Sequence, residues 1–119
     1  MSLNVDDCNE LRLRQIAIDL ENIPGSQLLV VGLLPRQIPS HLKKSRRYVF
    51  WTTDEAVRAQ RIPKDTIAVL CSRFIQHKTS LKLNSLTGNA VPVLSNLSLN
   101  QIQNMLPEST DTVLLTQEN

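Results

Sequence analysis

The sequence predicts a small α/β domain of three layers, with helices on both faces of a flavodoxin-like parallel sheet of four or five strands and an extra helix at the N-terminus. Three observations carry that prediction. The runs Leu28 to Leu33 and Thr66 to Cys71 are apolar throughout instead of alternating, the mark of strands buried on both faces. Segments with helical periodicity and recognisable caps stand between the apolar runs. The connections are short, and strand and helix alternate along the chain, which in compact domains means a parallel sheet covered by helices. With 119 residues, of which 41% are apolar, one core can form without disulfides or a structural metal. A single domain over 1–119 follows, divided into a leading helix (1–25), an α/β core (26–106) and a last stretch (107–119).

In chain order, Leu13, Ile16, Ala17 and Leu20 keep the i, i+3, i+4, i+7 spacing of a buried stripe and predict a helix from about Asp7 to Asn22. Asp6 or Asp7 caps it, Glu10 stands at capping-box distance, and Pro24-Gly25 ends it. Leu11 and Ile18 widen its apolar surface beyond the stripe, enough for a second subunit to cover. Gln27 to Leu33 is the first strand. A short helix is expected from Pro39 to Ser45, and Tyr48 to Trp51 is the second strand. Thr53 or Asp54 caps a helix that runs to Arg61 and stops before Pro63. Thr66 to Cys71 is the third strand. A helix from Phe74 to Leu86 turns Ile75, Thr79, Leu83 and Leu86 to the sheet, with Gly88 as its left-handed cap. Ala90 to Leu94 is the fourth strand, its proline at the beginning or at an unpaired position. Ser98 and Gln101 form a capping box for a helix through Leu99, Ile102, Met105 and Leu106, ended by Pro107. Thr112 to Thr116 is a candidate fifth strand, and the expected order is 2-1-3-4-5.

Charge is distributed unevenly. Residues 1–35 balance to −3 and residues 83–119 to −3, whereas residues 36–82 carry eleven Lys and Arg against three acids, a balance of +8. Such a middle segment suits an anionic partner, nucleic acid first, or an acidic protein surface. Cys8 and Cys71 stand far apart with no Cys/His cluster, so neither a disulfide framework nor a zinc site is indicated, and a reducing compartment, the cytoplasm, is expected. The N-terminus lacks the positive charge of a signal peptide, and the longest apolar run is too short for a bilayer, so no membrane partner is expected.

No catalytic constellation or cofactor site can be drawn. Ligands of open α/β sheets bind beyond the carboxyl ends of strands 1 and 3, which selects Gly32 to Arg36 and Cys71 to His77. Gly32 is followed by Leu33-Leu34-Pro35 and not by a glycine-rich phosphate loop, so no dinucleotide or P-loop site is expected. Cys71 ends a strand as the nucleophile of tyrosine phosphatases does, yet His77 stands where their phosphate-clamping arginine belongs. Cys71 is read as a core residue. His77 has no evident carboxylate to orient it, and no Ser-His-Asp or metal spacing exists. The elements Leu29-Val30-Val31-Gly32, Asp65-Thr66-Ile67-Ala68-Val69, Ile75-Gln76-His77, Lys82 and Val91-Pro92-Val93 resemble a bacterial flavodoxin-like (Rossmannoid) domain of unknown function. Two departures are that Gln76 replaces the serine before His77 and that Gly32 lacks a second glycine. The resemblance implies a fold and draws attention to His77.

The cluster Lys43-Lys44-Ser45-Arg46-Arg47 directly precedes the aromatic strand Tyr48-Val49-Phe50-Trp51, a combination that suits a nucleic-acid backbone and stacked bases. The expected function is therefore a non-enzymatic binding module in which Arg36, Lys43, Lys44, Arg46, Arg47, Arg73, His77 and Lys78 meet the polyanion. The alternative is a protein-interaction or assembly subunit, a dimer or larger homo-oligomer, that uses the leading helix and the charge asymmetry.

Overall fold

A computed structural model describes residues 5–107. Its elements alternate as expected: α1 (Val5–Asn22), β1 (Gln27–Val31), β2 (Tyr48–Trp51), α2 (Thr53–Arg58), β3 (Thr66–Ser72), α3 (His77–Leu86), β4 (Val93–Leu97) and α4 (Leu99–Asn104). All strand pairs are parallel and the order is β2-β1-β3-β4, so β1 and β3 are the central neighbours. The candidate strand Thr112 to Thr116 lies outside the described residues.

The sheet separates two apolar layers. On one face Leu28, Val30, Ala68, Leu70 and Leu94 meet Leu13, Ile16 and Leu20 of α1, Ile102 of α4 and Leu33 of the β1–β2 connection. On the other, Leu29, Val31, Val69 and Cys71 meet Ala56 of α2 and Leu83 of α3, with Ile75 beside them. Strict alternation along β1 and β3 divides one continuous apolar run between two cores, which is why neither run alternates in sequence. On α1, Leu13, Ile16 and Leu20 of the expected stripe are buried and Ala17 is half-buried, whereas Leu11 and Ile18 remain 53% and 50% exposed.

Several boundaries move for local reasons. Helix α1 begins at Val5, so Asp6 and Asp7 lie in its first turn and do not precede it as caps. Strand β1 stops at Val31 because Gly32 turns the backbone to φ +94°. The expected helix from Pro39 to Ser45 is replaced by two 3-10 turns, Pro35–Gln37 and Ser40–Leu42. Prolines at 35 and 39 remove donors, and Leu42 is the sole buried side chain of the two turns, too little for a longer helix to pack on. Thr52, and neither Thr53 nor Asp54, caps α2: its hydroxyl accepts from the Glu55 amide at 3.1 Å while the Glu55 carboxylate accepts from the Thr52 amide at 3.0 Å. Helix α2 ends at Arg58, where Ala59 is already extended, before Pro63 can act.

Helix α3 starts at His77, not Phe74. The Ser72 hydroxyl accepts from the Phe74 amide at 3.3 Å and the Ser72 carbonyl from the Ile75 amide at 3.2 Å, so residues 73–76 form a turn before the helix. Ile75, Thr79 and Leu83 are buried as expected, and Gly88 follows the helix at φ +65°. Strand β4 runs from Val93 to Leu97 instead of Ala90 to Leu94, because Gly88 and Asn89 both take left-handed backbone and Ala90 still belongs to the turn, its amide donating to Thr87. Pro92 stands just before the strand, and its carbonyl accepts from the Val69 amide. Ser98 and Gln101 form the expected capping box on α4, which ends at Asn104, before Pro107.

Candidate functional site

At the carboxyl ends of β1 and β3, where the fold most often leaves a ligand crevice, the two connections touch at Gly32, and beside that contact Leu33, Gln37, Ser72, Arg73 and Leu97 line a cavity of about 220 Å³. A β-carbon added to Gly32 would lie 2.4 Å from the Ser72 hydroxyl and 2.8 Å from the Ile75 side chain. Ser72 is buried and its hydroxyl donates to the Gly32 carbonyl at 3.0 Å. The two loops thus lock on one another, and the serine is engaged in holding them together.

Cys71 is fully buried next to this lock, and burial pushes its thiol up to about 12. A thiol that stays protonated is a poor nucleophile. Iodoacetamide at neutral pH is therefore expected to label the exposed Cys8 and leave Cys71 unmodified in the native protein. Labelling of Cys71 at a rate matching Cys8 would contradict this. The same burial has a stability consequence. Because the folded value lies above the ordinary 9.0, the group supports folding below that pH, and the support is lost as pH rises toward about 12. Stability is expected to fall by up to about 1.4 kcal/mol per pH unit in that window. Denaturant titrations of Cys71→Ala should show a flatter alkaline slope than the parent.

His77 is exposed at the first position of α3, where its carbonyl accepts from the Ser80 hydroxyl. His41 is exposed in the second 3-10 turn, and its Nε2 donates to the Pro107 carbonyl at 2.9 Å. Among the described residues no group of three or more His, Cys, Asp or Glu could hold a metal ion. No helix among them is long and apolar enough to cross a membrane.

The eight positions singled out above, seven Lys or Arg and one His, fall into two groups. Because every strand runs the same way, the segment before β2 sits at one end of the sheet and the segments after β1 and β3 at the other. Lys43, Lys44, Arg46 and Arg47, all exposed, lie between the second 3-10 turn and β2. Two hydrogen bonds fix the end of this segment: the Gln27 side chain donates to the Arg46 carbonyl at 2.8 Å, and the Leu28 amide to the Arg47 carbonyl at 2.7 Å. Arg36, Arg73, His77 and Lys78 are also exposed but stand at the carboxyl ends. A four-residue strand separates the two ends by about 13 Å.

Strand β2 is an edge strand, and all four of its side chains are half-buried. Tyr48 and Phe50 lean on the α1/α4 layer, Val49 and Trp51 on the α2/α3 layer. Burial raises the Tyr48 phenol above its usual range; Arg47 opposes that rise and Glu21 adds to it. A groove of about 320 Å³ runs along this edge between Pro35, Ile38, Lys43, Ser45 and the first three residues of β2. It joins the basic segment to the chain leading from Arg36.

One exposed feature carries no signal in the sequence. Phe74 is 66% exposed and Val57 51% exposed beside a cavity of about 350 Å³ that Lys78 and Lys82 also line. The Lys82 ammonium donates to the Val57 carbonyl. Phe74 reads as part of a helix, and its projection into solvent follows from the turn that Ser72 imposes. Comparison with family models, with curated proteins and with solved structures finds no match for this chain.

Proposed function

We propose that the chain is a non-enzymatic binding module of flavodoxin-like class whose ligand is a polyanion, nucleic acid, held at the β2 edge of the sheet. The observation that carries this reading is four exposed cations within five residues, Lys43 to Arg47, leading into an exposed edge strand with half-buried aromatic rings. Lys and Arg neutralise phosphates, and rings that keep one face accessible serve as stacking platforms. The groove between Pro35, Lys43 and Phe50 gives a strand of nucleic acid a path toward Arg36. Arg73, His77 and Lys78 then act as a second contact for ligands long enough to reach the carboxyl ends.

Binding to a labelled single-stranded oligonucleotide, measured from low to high salt, tests this. Each phosphate contact contributes ~0.7 to 0.9 to the slope of log affinity against log salt, so the Arg46→Ala/Arg47→Ala protein is expected to lose about one to two units of slope. Its affinity should weaken alike for all sequences. Thermal stability should change by no more than about 0.5 kcal/mol per site. No binding at low salt, or a double mutant that binds as well as the parent, defeats the proposal.

A second reading has its own support in Leu11 and Ile18, seven residues apart on α1 and half exposed. In that reading the helix joins copies of the chain, or the basic segment meets an acidic protein. Light scattering should then report a dimer or larger, which Leu11→Glu or Ile18→Glu dissociates. A monomer at high concentration removes it.

A further inference from the structure

We infer that the cavity at the carboxyl ends of β1, β3 and β4 binds a small monocarboxylate with an apolar body, held through Arg73. Its place in the fold is the first support. From β1 the chain crosses to β2 over the face that α1 and α4 cover, whereas from β3 it crosses to β4 through α3 on the opposite face. The two connections part between β1 and β3, and open α/β sheets hold ligands beyond the strand ends at such a switch point. The cavity of about 220 Å³ lies there, bounded by Leu33 after β1, Arg73 and Phe74 after β3, and Leu97 and Leu99 where β4 passes into α4.

The second support is the wall of the cavity, which is apolar and fixed. Leu33 and Leu97 are buried, Leu99 is partly exposed, and the Phe74 ring, otherwise out in solvent, borders the opening. The Ser72 hydroxyl donates to the Gly32 carbonyl at 3.0 Å and accepts from the Phe74 amide at 3.3 Å. Those two bonds hold both connections in place before any ligand arrives, so little ordering is left to oppose binding. An apolar cavity of about 150 Å³ accepts a benzene ring. This one therefore has room for a ring or a branched chain of that size together with a carboxylate.

The third support is the sign of the polar groups that remain. Gln37 Oε1 accepts from the Leu34 amide at 2.8 Å, which leaves the Gln37 Nε2 donors over. Ser98 Oγ accepts from the Gln101 amide at 3.2 Å, which leaves its proton over. Among the described residues neither these donors nor the Arg73 guanidinium has an acceptor, and no Asp or Glu lines the cavity. What faces a ligand is thus a set of donors, one of them charged, around apolar walls. A carboxylate is their complement, because a guanidinium meets both of its oxygens at once. The apolar walls in turn select a carboxylate that carries a hydrophobic body over a bare inorganic anion, whose full hydration they would strip.

Titration of the full chain with benzoate and with isovalerate, followed by amide nitrogen-proton NMR spectra, tests this without any nucleic acid, so its outcome is separate from that of the polyanion reading. Saturable shifts are expected at Leu33, Arg73, Phe74, Leu97 and Leu99, with a Kd of about 1 mM or tighter for at least one of the two probes. Benzyl alcohol and inorganic phosphate, which lack the carboxylate and the apolar body respectively, should bind about tenfold more weakly or worse. Arg73→Gln should lose about tenfold or more for the carboxylate, and Arg73→Lys, which keeps the charge but not the fork, should recover part of that loss. Leu99→Trp narrows the cavity and leaves Arg73 in place, so it should weaken the carboxylate as well. Unchanged melting midpoints show that these variants are folded. The absence of saturable shifts with both probes at millimolar concentration overturns the inference. So does benzyl alcohol or phosphate binding as tightly as the carboxylate, or affinity that survives both Arg73→Gln and Leu99→Trp. Shifts centred on Lys43 to Arg47 or on Lys78 and Lys82, the sign of general attraction to exposed cations, overturn it too.

Discussion

Gly32→Val is expected to destabilise the native structure by about 2–6 kcal/mol, through two independent costs. A β-branched residue at φ +94° adopts backbone that L side chains avoid, a strain of about 1–3 kcal/mol. Its side chain would also collide with Ser72 and Ile75, which are buried and held by the bond from Ser72 to the Gly32 carbonyl. Overpacking of that kind adds about 1–3 kcal/mol. Small domains have a stability of only about 5–15 kcal/mol, so the sum removes much of it. Circular dichroism with a denaturant midpoint measures the loss. Gly25→Ala, where φ is also positive but nothing lies within 4 Å of an added β-carbon, serves as the comparison and should cost far less. Equal costs at the two positions would mean that the contact with Ser72 and Ile75 is unimportant.

Leu70→Ala is expected to cost about 4–5 kcal/mol, the upper end of the range for deleting a buried leucine. Leu70 is fully buried at the centre of β3, paired with Val30 on one side and Leu94 on the other. Hydrogen bonds to both neighbouring strands keep the backbone from moving in to fill the space, and a site that cannot collapse bears the whole cavity cost. Val49→Ala, on the edge strand and only half-buried, is expected to cost less than half as much, about 1–2 kcal/mol. Urea unfolding at unchanged m-value checks both. A Leu70→Ala protein that loses no more than the Val49→Ala protein would contradict the placement of the core.

The sequence by itself determined the layers and marked β1 and β3 as the central strands of the described sheet. Leu28 to Val31 and Val69 to Cys71 had to be covered on both sides, because each residue of a strand points to one face or the other and all of these are apolar. Ser98 with Gln101, Pro24 with Gly25 and Gly88 after α3 are local devices, so their positions could be read from neighbours in the chain. Boundaries that depend on contacts far along the chain could not. The start of α3 at His77 follows from Ser72, whose hydroxyl is tied to Gly32, forty positions earlier.

The candidate site divides in the same manner. Lys43 to Arg47 and Tyr48 to Trp51 adjoin in sequence, so a basic segment beside aromatic rings was legible directly. Tertiary structure alone decided that Arg36, Arg73, His77 and Lys78 stand at the opposite end of the sheet, since a parallel sheet sends every strand start one way and every strand finish the other. It also decided that Ser72 and Ile75 close on Gly32 between β1 and β3 and that Phe74 projects into solvent. Composition and spacing record which residues a chain has, whereas which of them meet depends on how the strands order and where each connection crosses.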